Sequence, residues 1–180
     1  GWCYPWTIAM LNGRTICLRN IDVKKVFALI DKYNVTHFGG APIVLNMITG
    51  APESDRKKLK QKVHVLTAGA PPPSIIFKKM KDLGFEVMHV YGLTETYGHV
   101  TQCAWNDEWN AYDEDKQNEI KARQGVRYPN TEGVTVMDPE TMKEVPSDGK
   151  TIGEIMIRGN VVMKGYFKDK AATDKAMAGG

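Results

Sequence analysis

Phe85-Glu86-Val87-Met88-His89-Val90-Tyr91-Gly92-Leu93-Thr94-Glu95 joins an apolar strand pattern to a hydroxyl and a carboxylate. Its first six residues predict a buried strand, with apolar side chains at alternate positions. The strand is expected to stop at Gly92, where a hydroxyl and a carboxylate follow almost at once. In parallel α/β sheets ligands sit just beyond the carboxyl ends of the strands, which is where Thr94 and Glu95 fall. A threonine hydroxyl can donate to a phosphate oxygen, and a glutamate can hold a hard cation such as Mg2+. On these residues alone, a turn carrying a solvated glutamate is the simpler account.

A second strand and tip lie just upstream. Val63-His64-Val65-Leu66-Thr67 predicts a short strand, ended by Ala68-Gly69-Ala70-Pro71-Pro72-Pro73. From Ser74 the spacing is that of an amphipathic helix, stopping near Gly84. Small residues at a strand tip let a flat ring approach the backbone closely, and the prolines stiffen the turn into the helix. An ordinary strand-to-helix connection would look the same in isolation. Two such tips in successive βα units favour a shared crevice over coincidence.

The alternation continues toward the N-terminus. Residues 15–18 are a short strand candidate, and Asp22 can cap a helix over residues 23–32, where Val23, Val26, Phe27 and Ile30 share a face. Residues 35–38 read as the next strand, Gly39-Gly40-Ala41 as its tip, and Pro42 as the first turn of a helix running to about Thr49. Trp2, Tyr4 and Trp6 alternate, fitting either a half-buried strand or the entry to a helix. The basic run 56–62 reads as the exposed face of a short helix capped by Ser54 or Asp55. Alternating β and α elements predict a parallel sheet with flanking helices, an α/β fold.

The texture changes after Cys103. Residues 105–115 read as a polar, acidic connection and residues 116–123 as a short helix. Residues 133–138 and 151–158 read as strands separated by the turn chemistry of Asp138-Pro139 and Pro146-Ser147-Asp148-Gly149. Strands without helices between them predict a small antiparallel or barrel-like β subdomain. The expected division is residues 1–104 for the α/β part and residues 105–180 for the connecting segment and β-rich subdomain.

A chain of 180 residues can bury the core of one domain, and 42% hydrophobic with 25% charged residues argues against disorder. The net charge of +3 is too mild to imply a nucleic-acid partner. No apolar run has the length of a membrane span. Cys3, Cys17 and Cys103 are widely spaced and odd in number, without the spacing of a zinc site, so reduced thiols in a cytoplasmic protein are the simplest account. There is no Gly-x-x-x-x-Gly-Lys-Ser/Thr loop and no Gly-x-Gly-x-x-Gly fingerprint, so a nucleotide site here is of another type.

Three segments, taken in order, resemble successive signatures of the adenylate-forming (AMP-binding) superfamily, which holds acyl-CoA synthetases, peptide-synthetase adenylation domains and firefly luciferase. They are Ala68-Gly69-Ala70-Pro71, Tyr91-Gly92-Leu93-Thr94-Glu95, and Gly153-Glu154-Ile155-Met156-Ile157-Arg158-Gly159-Asn160-Val161-Val162-Met163-Lys164-Gly165-Tyr166. The opening Gly1-Trp2-Cys3-Tyr4-Pro5-Trp6 is similar to a segment of its acyl-CoA synthetases. The resemblance covers nearly all of the chain. Residues 91–99 and Lys121-Ala122-Arg123-Gln124-Gly125 look most like short- to medium-chain acyl-CoA synthetases, including methylmercaptopropionate-CoA ligases. This implies an internal fragment of the large N-terminal domain of an AMP-forming carboxylic acid–CoA ligase, inactive as a piece. Such an enzyme joins a carboxylic acid to AMP from Mg-ATP and passes the acyl group to coenzyme A.

Carried over residue by residue, the resemblance implies that Thr94 and Glu95 are catalytic, Thr94 on the phosphates and Glu95 on Mg2+. Gly69, Ala70, Pro71, Tyr91, Gly92, Leu93 and Thr94 would contact ATP or AMP. Trp2, Gly39, Gly40, Ala41, Gly92, Tyr97 and His99 would line the acyl pocket, although for His99 simple packing is equally open. Adenylation places a carboxylate oxygen on the α-phosphorus and expels pyrophosphate, so charge along the phosphates must be neutralised by a metal and donors. His37, His64 and His89 fall inside predicted strands and read better as core or sheet-face residues. An adenylation domain that loads a carrier protein is the same-fold alternative, and a non-catalytic nucleotide-binding module is the other. The full-length parent could form a homodimer.

Overall fold

The computed structural model describes residues 3–179. The chain divides into two compact units, one of residues up to Tyr91 together with Thr101–Val126, the other of Gly92–Val100 together with the residues from Arg127 onward.

In the first unit, helix α1 (Tyr4–Met10) is followed by α2 (Val23–Tyr33), strand β1 (His37–Gly39), α3 (Pro42–Gly50), β2 (Val63–Thr67), α4 (Ser74–Asp82) and β3 (Phe85–Leu93). β1, β2 and β3 pair in parallel, with His37 opposite His64 and His64 opposite Glu86. The full sheet has five strands in the order β1-β2-β3-β4-β5 and is mixed, where β4 is Gly98–Gln102 and β5 is Val126–Arg127. The period-2 pattern sets which face is buried. Val63, Val65, Phe85 and Val87 point to the core, while His64, Glu86 and Met88 are exposed. Against the buried face pack Phe27 and Ile30 of α2, Leu45 and Ile48 of α3, and Phe77 and Met80 of α4. The Phe27 and Phe85 rings lie 5.9 Å apart, a tilted aromatic pair.

Local chemistry sets the helix ends. Asp22 accepts the Lys25 N–H at 3.0 Å to cap α2, whose other end is closed by Asn34 in the left-handed conformation. Pro42 opens α3, as expected from its fixed φ. Helix α5 (Glu114–Lys121) starts two residues earlier than the spacing predicts, because the Asp113 carboxylate takes the Lys116 N–H at 2.8 Å.

Three expectations are corrected. Residues 15–18 form no strand, since no neighbouring strand pairs with them among the described residues. Residues 56–62 form no helix: after a 3-10 turn at Glu53–Asp55, Arg56 is extended and reaches the Thr49 carbonyl at 3.0 Å, while Lys57 and Lys60 both pair with Asp31 of α2. These tertiary contacts override local propensity. β3 does not stop at Gly92 but runs through it to Leu93. Of the two readings open for the alternating aromatics near the start, the helix entry holds, with Tyr4 and Trp6 in α1 and Pro5 in its first turn.

In the second unit, β6 (Gly133–Met137) and β7 (Glu154–Arg158) pair antiparallel, with Val134 opposite Ile157 and Val136 opposite Ile155. Two aspartate turns shape their connection. Asp138 accepts the N–H groups of Glu140 and Thr141, and Asp148 those of Lys150 and Thr151. A short helix α6 (Lys170–Ala176), capped by Asp169, closes the described chain. No helix among the described residues is long and apolar enough to cross a membrane.

Candidate functional site

The strand tips of the first unit are built from residues without bulk. Gly69 has φ +99, which favours glycine, and a Cβ there would meet nothing within 4 Å. Ala70 and Pro71 beside it are exposed, and Tyr91 on β3 is half-buried. Thr67, the last residue of β2, is fully buried, and its hydroxyl has no hydrogen-bond partner among the described residues.

The tip of β1 is less open than its sequence suggests. A Cβ on Gly39 would lie 3.0–3.2 Å from the Tyr4 ring, and one on Gly40 would lie 3.3 Å from Val44. The room that Gly39 leaves is filled by Tyr4, whose phenol is pushed up to about 12 by burial and then by the Cys3 thiol. Ala41 precedes α3 as its N-cap and makes no side-chain capping bond. Trp2 lies outside the described residues.

A cavity of about 470 Å3 opens at the amino ends of β2 and β3, lined by Lys60, Lys62, Lys81, Lys121 and Glu86 over Phe85. None of the sequence-predicted site residues lines it. Its lysine charges are largely matched: Lys60 pairs with Asp31, Lys62 with Glu86 at 3.1 Å and Lys81 with Glu114. Lys121 lies 4.8 Å over the Trp105 ring, and burial, then Lys81, lowers its pKa.

In the second unit the residues after β3 turn sharply. Thr94–Thr96 is a 3-10 turn, and Tyr97 follows with φ +55. The Thr96 hydroxyl accepts the Leu93 N–H at 3.0 Å and lies 2.9 Å from the Gly98 carbonyl, locking the turn. Thr94 and Tyr97 are exposed. His99 is half-buried and meets Tyr128 edge-on at 4.5 Å. Burial lowers its pKa, so at neutral pH it presents an uncharged ring.

Glu95 is held at two points. Tyr166 donates its phenol to Glu95 Oε1 at 2.9 Å, and the Met163 N–H donates to the Glu95 backbone carbonyl at 2.7 Å. The carboxyl is held below its usual range, first by the residue's own backbone N–H and then by the Tyr166 hydroxyl. Tyr166 is fixed in turn, since its N–H donates to Thr173 Oγ1 at 2.9 Å, and the Thr173 hydroxyl donates to the Asp169 carbonyl at 2.7 Å. Sequence reasoning gave Tyr166 no role. It stands in the quoted segment 153–166, but no spacing rule joins it to a carboxylate seventy-one residues earlier.

No group of three or more His, Cys, Asp or Glu suited to a metal occurs among the described residues. Mg2+ does not need one, because it is usually bound through one or two carboxylates plus substrate phosphates. A single ionised, oriented carboxylate such as Glu95 fits that requirement.

The mixed sheet with its flanking helices and the small antiparallel pair have the fold of the N-terminal domains of adenylate-forming enzymes. The family model described as AMP-binding enzyme matches residues 1–167, and the chain belongs to that family. It is 53% identical over 182 aligned residues to a peroxisomal acetate/butyrate–CoA ligase of Arabidopsis thaliana, and 52% identical over 182 to an acetate–CoA ligase of Humulus lupulus. Each alignment covers 100% of this chain and 32% of the relative, so the chain spans about a third of their length. Among solved structures, the N-terminal domain of FACL13 from Mycobacterium tuberculosis is similar at a TM-score of 0.73 and 25% identity. That match covers 96% of this chain and 41% of that one.

Proposed function

We propose that the full-length protein is an AMP-forming carboxylic acid–CoA ligase acting on short- to medium-chain acids. It would join the acid to AMP from Mg-ATP and then pass the acyl group to coenzyme A. The observation that carries this reading is the Glu95 carboxylate, ionised and held by Tyr166 on the turn directly after β3. The names of the relatives, acetate, butyrate and 2-methylpropanoate ligases, support the size class of the acid.

In this reading Thr94 donates to the phosphates and Glu95 would hold Mg2+, which supplies positive charge against the phosphate oxygens. Gly69, Ala70, Pro71 and Tyr91 contact the adenine, with Gly92 and Leu93 beside it. The open space at Gly69 supports close approach of a flat ring. Tyr97 and His99 border the acyl chain, with Gly39, Gly40 and Ala41 as a further wall. About two thirds of the relatives' length lies outside the residues matched here, and the 180 residues alone are proposed to lack ligase activity. The partners are the acid and coenzyme A, without nucleic acid, and a homodimer could form. Cysteines that form no disulfide among the described residues suit a reducing compartment such as the cytoplasm, and localisation of the tagged full-length protein separates this from the peroxisome.

The test is Glu95→Gln in the full-length protein. Acid-dependent ATP–pyrophosphate exchange should fall by roughly 10²- to 10³-fold, as when a key electrostatic group is removed. Exchange near that of the unaltered protein, with the same magnesium dependence, would make Glu95 a surface carboxylate. Wild-type exchange without any acyl-CoA product would instead favour the carrier-loading alternative.

A further inference from the structure

Glu95 and Tyr166 come from distant parts of the sequence yet belong to the same compact unit. Two bonds tie them. The side-chain bond is Tyr166 Oη to Glu95 Oε1 at 2.9 Å, and the backbone bond runs from the Met163 N–H to the Glu95 carbonyl at 2.7 Å. The segment between Met163 and Tyr166 is therefore a strap across the turn that bears the carboxylate.

The strap has its own anchor. Gly165 sits at φ +149, and a Cβ there would lie 2.6 Å from the Thr173 side chain. This close approach lets Thr173 Oγ1 accept the next N–H, that of Tyr166. Thr173 belongs to α6, where its hydroxyl also bonds the Asp169 carbonyl. The series Thr173, Tyr166, Glu95 thus runs from a helix to the carboxylate with a hydrogen bond at each step.

We propose that Tyr166 is the positioning residue of Glu95: its phenol holds one carboxylate oxygen, Oε1, and so fixes the carboxylate that would hold the cation of the Mg-nucleotide. The proposal rests on the reading of Glu95 as the metal-side residue and adds the group that aims it. A charge-assisted O–H to carboxylate bond is about twice as strong as a neutral one, which suits it to fixing a side chain that would otherwise sample several rotamers. Groups of this kind behind a metal ligand typically change metal affinity or activity by roughly 10- to 100-fold when removed.

The experiment uses the full-length enzyme with Mn2+ in place of Mg2+, its binding in the presence of ATP followed by electron paramagnetic resonance. Tyr166→Phe keeps the ring and removes only the hydroxyl. It should weaken Mn2+ binding by roughly 10- to 100-fold and raise the metal concentration needed for exchange. Glu95→Gln should weaken Mn2+ binding at least as much. The double variant should be no worse than Glu95→Gln alone, because a residue that acts through Glu95 has nothing left to act on. If Glu95→Gln binds Mn2+ normally, the metal-side reading fails whatever Tyr166 does. If Glu95→Gln is impaired while Tyr166→Phe binds normally, the positioning role fails alone. Additive losses in the double variant also overturn it, and this comparison holds even where Tyr166→Phe lowers the melting temperature.

Discussion

The carbonyl oxygen of Gly98 stands 1.9 Å from where a Cβ on Gly92 would be, and the Cα of His99 stands 2.5 Å from it. No side chain fits at Gly92, so β3 can run past it to Leu93 and fold back through the Thr94–Thr96 turn into β4. The position is fixed by backbone approach, whatever else Gly92 contacts. Gly92→Ala should therefore destabilise the full-length protein by more than about 3 kcal/mol, as expected when a core strand must move. A denaturant titration with an unchanged midpoint would contradict the close approach.

Thr67 supports the opposite kind of prediction. Its side chain is fully buried and its hydroxyl has no partner among the described residues. A buried unsatisfied hydroxyl costs about 1–3 kcal/mol, and valine has nearly the same shape without it. Thr67→Val should raise stability by about 1 kcal/mol and lift the melting temperature by a few degrees. A fall in melting temperature would mean that the hydroxyl has a partner in the full-length protein.

The parts of the fold legible in sequence are those where one local rule was enough. β2 and β3 show period-2 burial, and α2 carries both its Asp22 cap and its apolar face. The missed parts depend on partners distant in sequence. β4 is five residues long and starts straight after a turn, with nothing local to mark it. Helix α6, Lys-Ala-Ala-Thr-Asp-Lys-Ala, has no apolar stripe and owes its start to Asp169. Residues 56–62 have the charge pattern of a helix face, yet Lys57 and Lys60 are drawn to Asp31 on α2. The turn that presents Thr94 and Glu95 was legible, while the Tyr166 hydroxyl that holds Glu95 was not.

Tyr4 gives a pH signature. Its phenol is raised to about 12 by burial first and the Cys3 thiol second, whereas an unfolded tyrosine ionises near 10. The folded pKa is the higher one, so this contribution to stability is fully present below about pH 10 and is lost as pH rises toward 12. Tyr4→Phe should remove that part of the alkaline loss, making the fall in melting temperature between pH 10 and pH 12 shallower. Parallel curves for the two proteins would show that Tyr4 is exposed in the full-length molecule.

Acyl-chain length is the last test, and it bears on His99. The ring is half-buried, uncharged at neutral pH and packed edge-on against Tyr128 at 4.5 Å, so it presents a rigid, weakly polar surface. If the acyl chain lies against it, each added methylene gains about 0.8 kcal/mol until the wall is met. Beyond that length, overpacking costs about 1–3 kcal/mol and selectivity turns steeply. His99→Ala opens volume while leaving the Thr94 and Glu95 turn in place. Its kcat/KM profile over straight-chain acids should peak at a longer chain than that of the unaltered enzyme, with acetate losing most because it no longer fills the site. An unchanged chain-length profile, with only stability reduced, would confine His99 to packing against Tyr128.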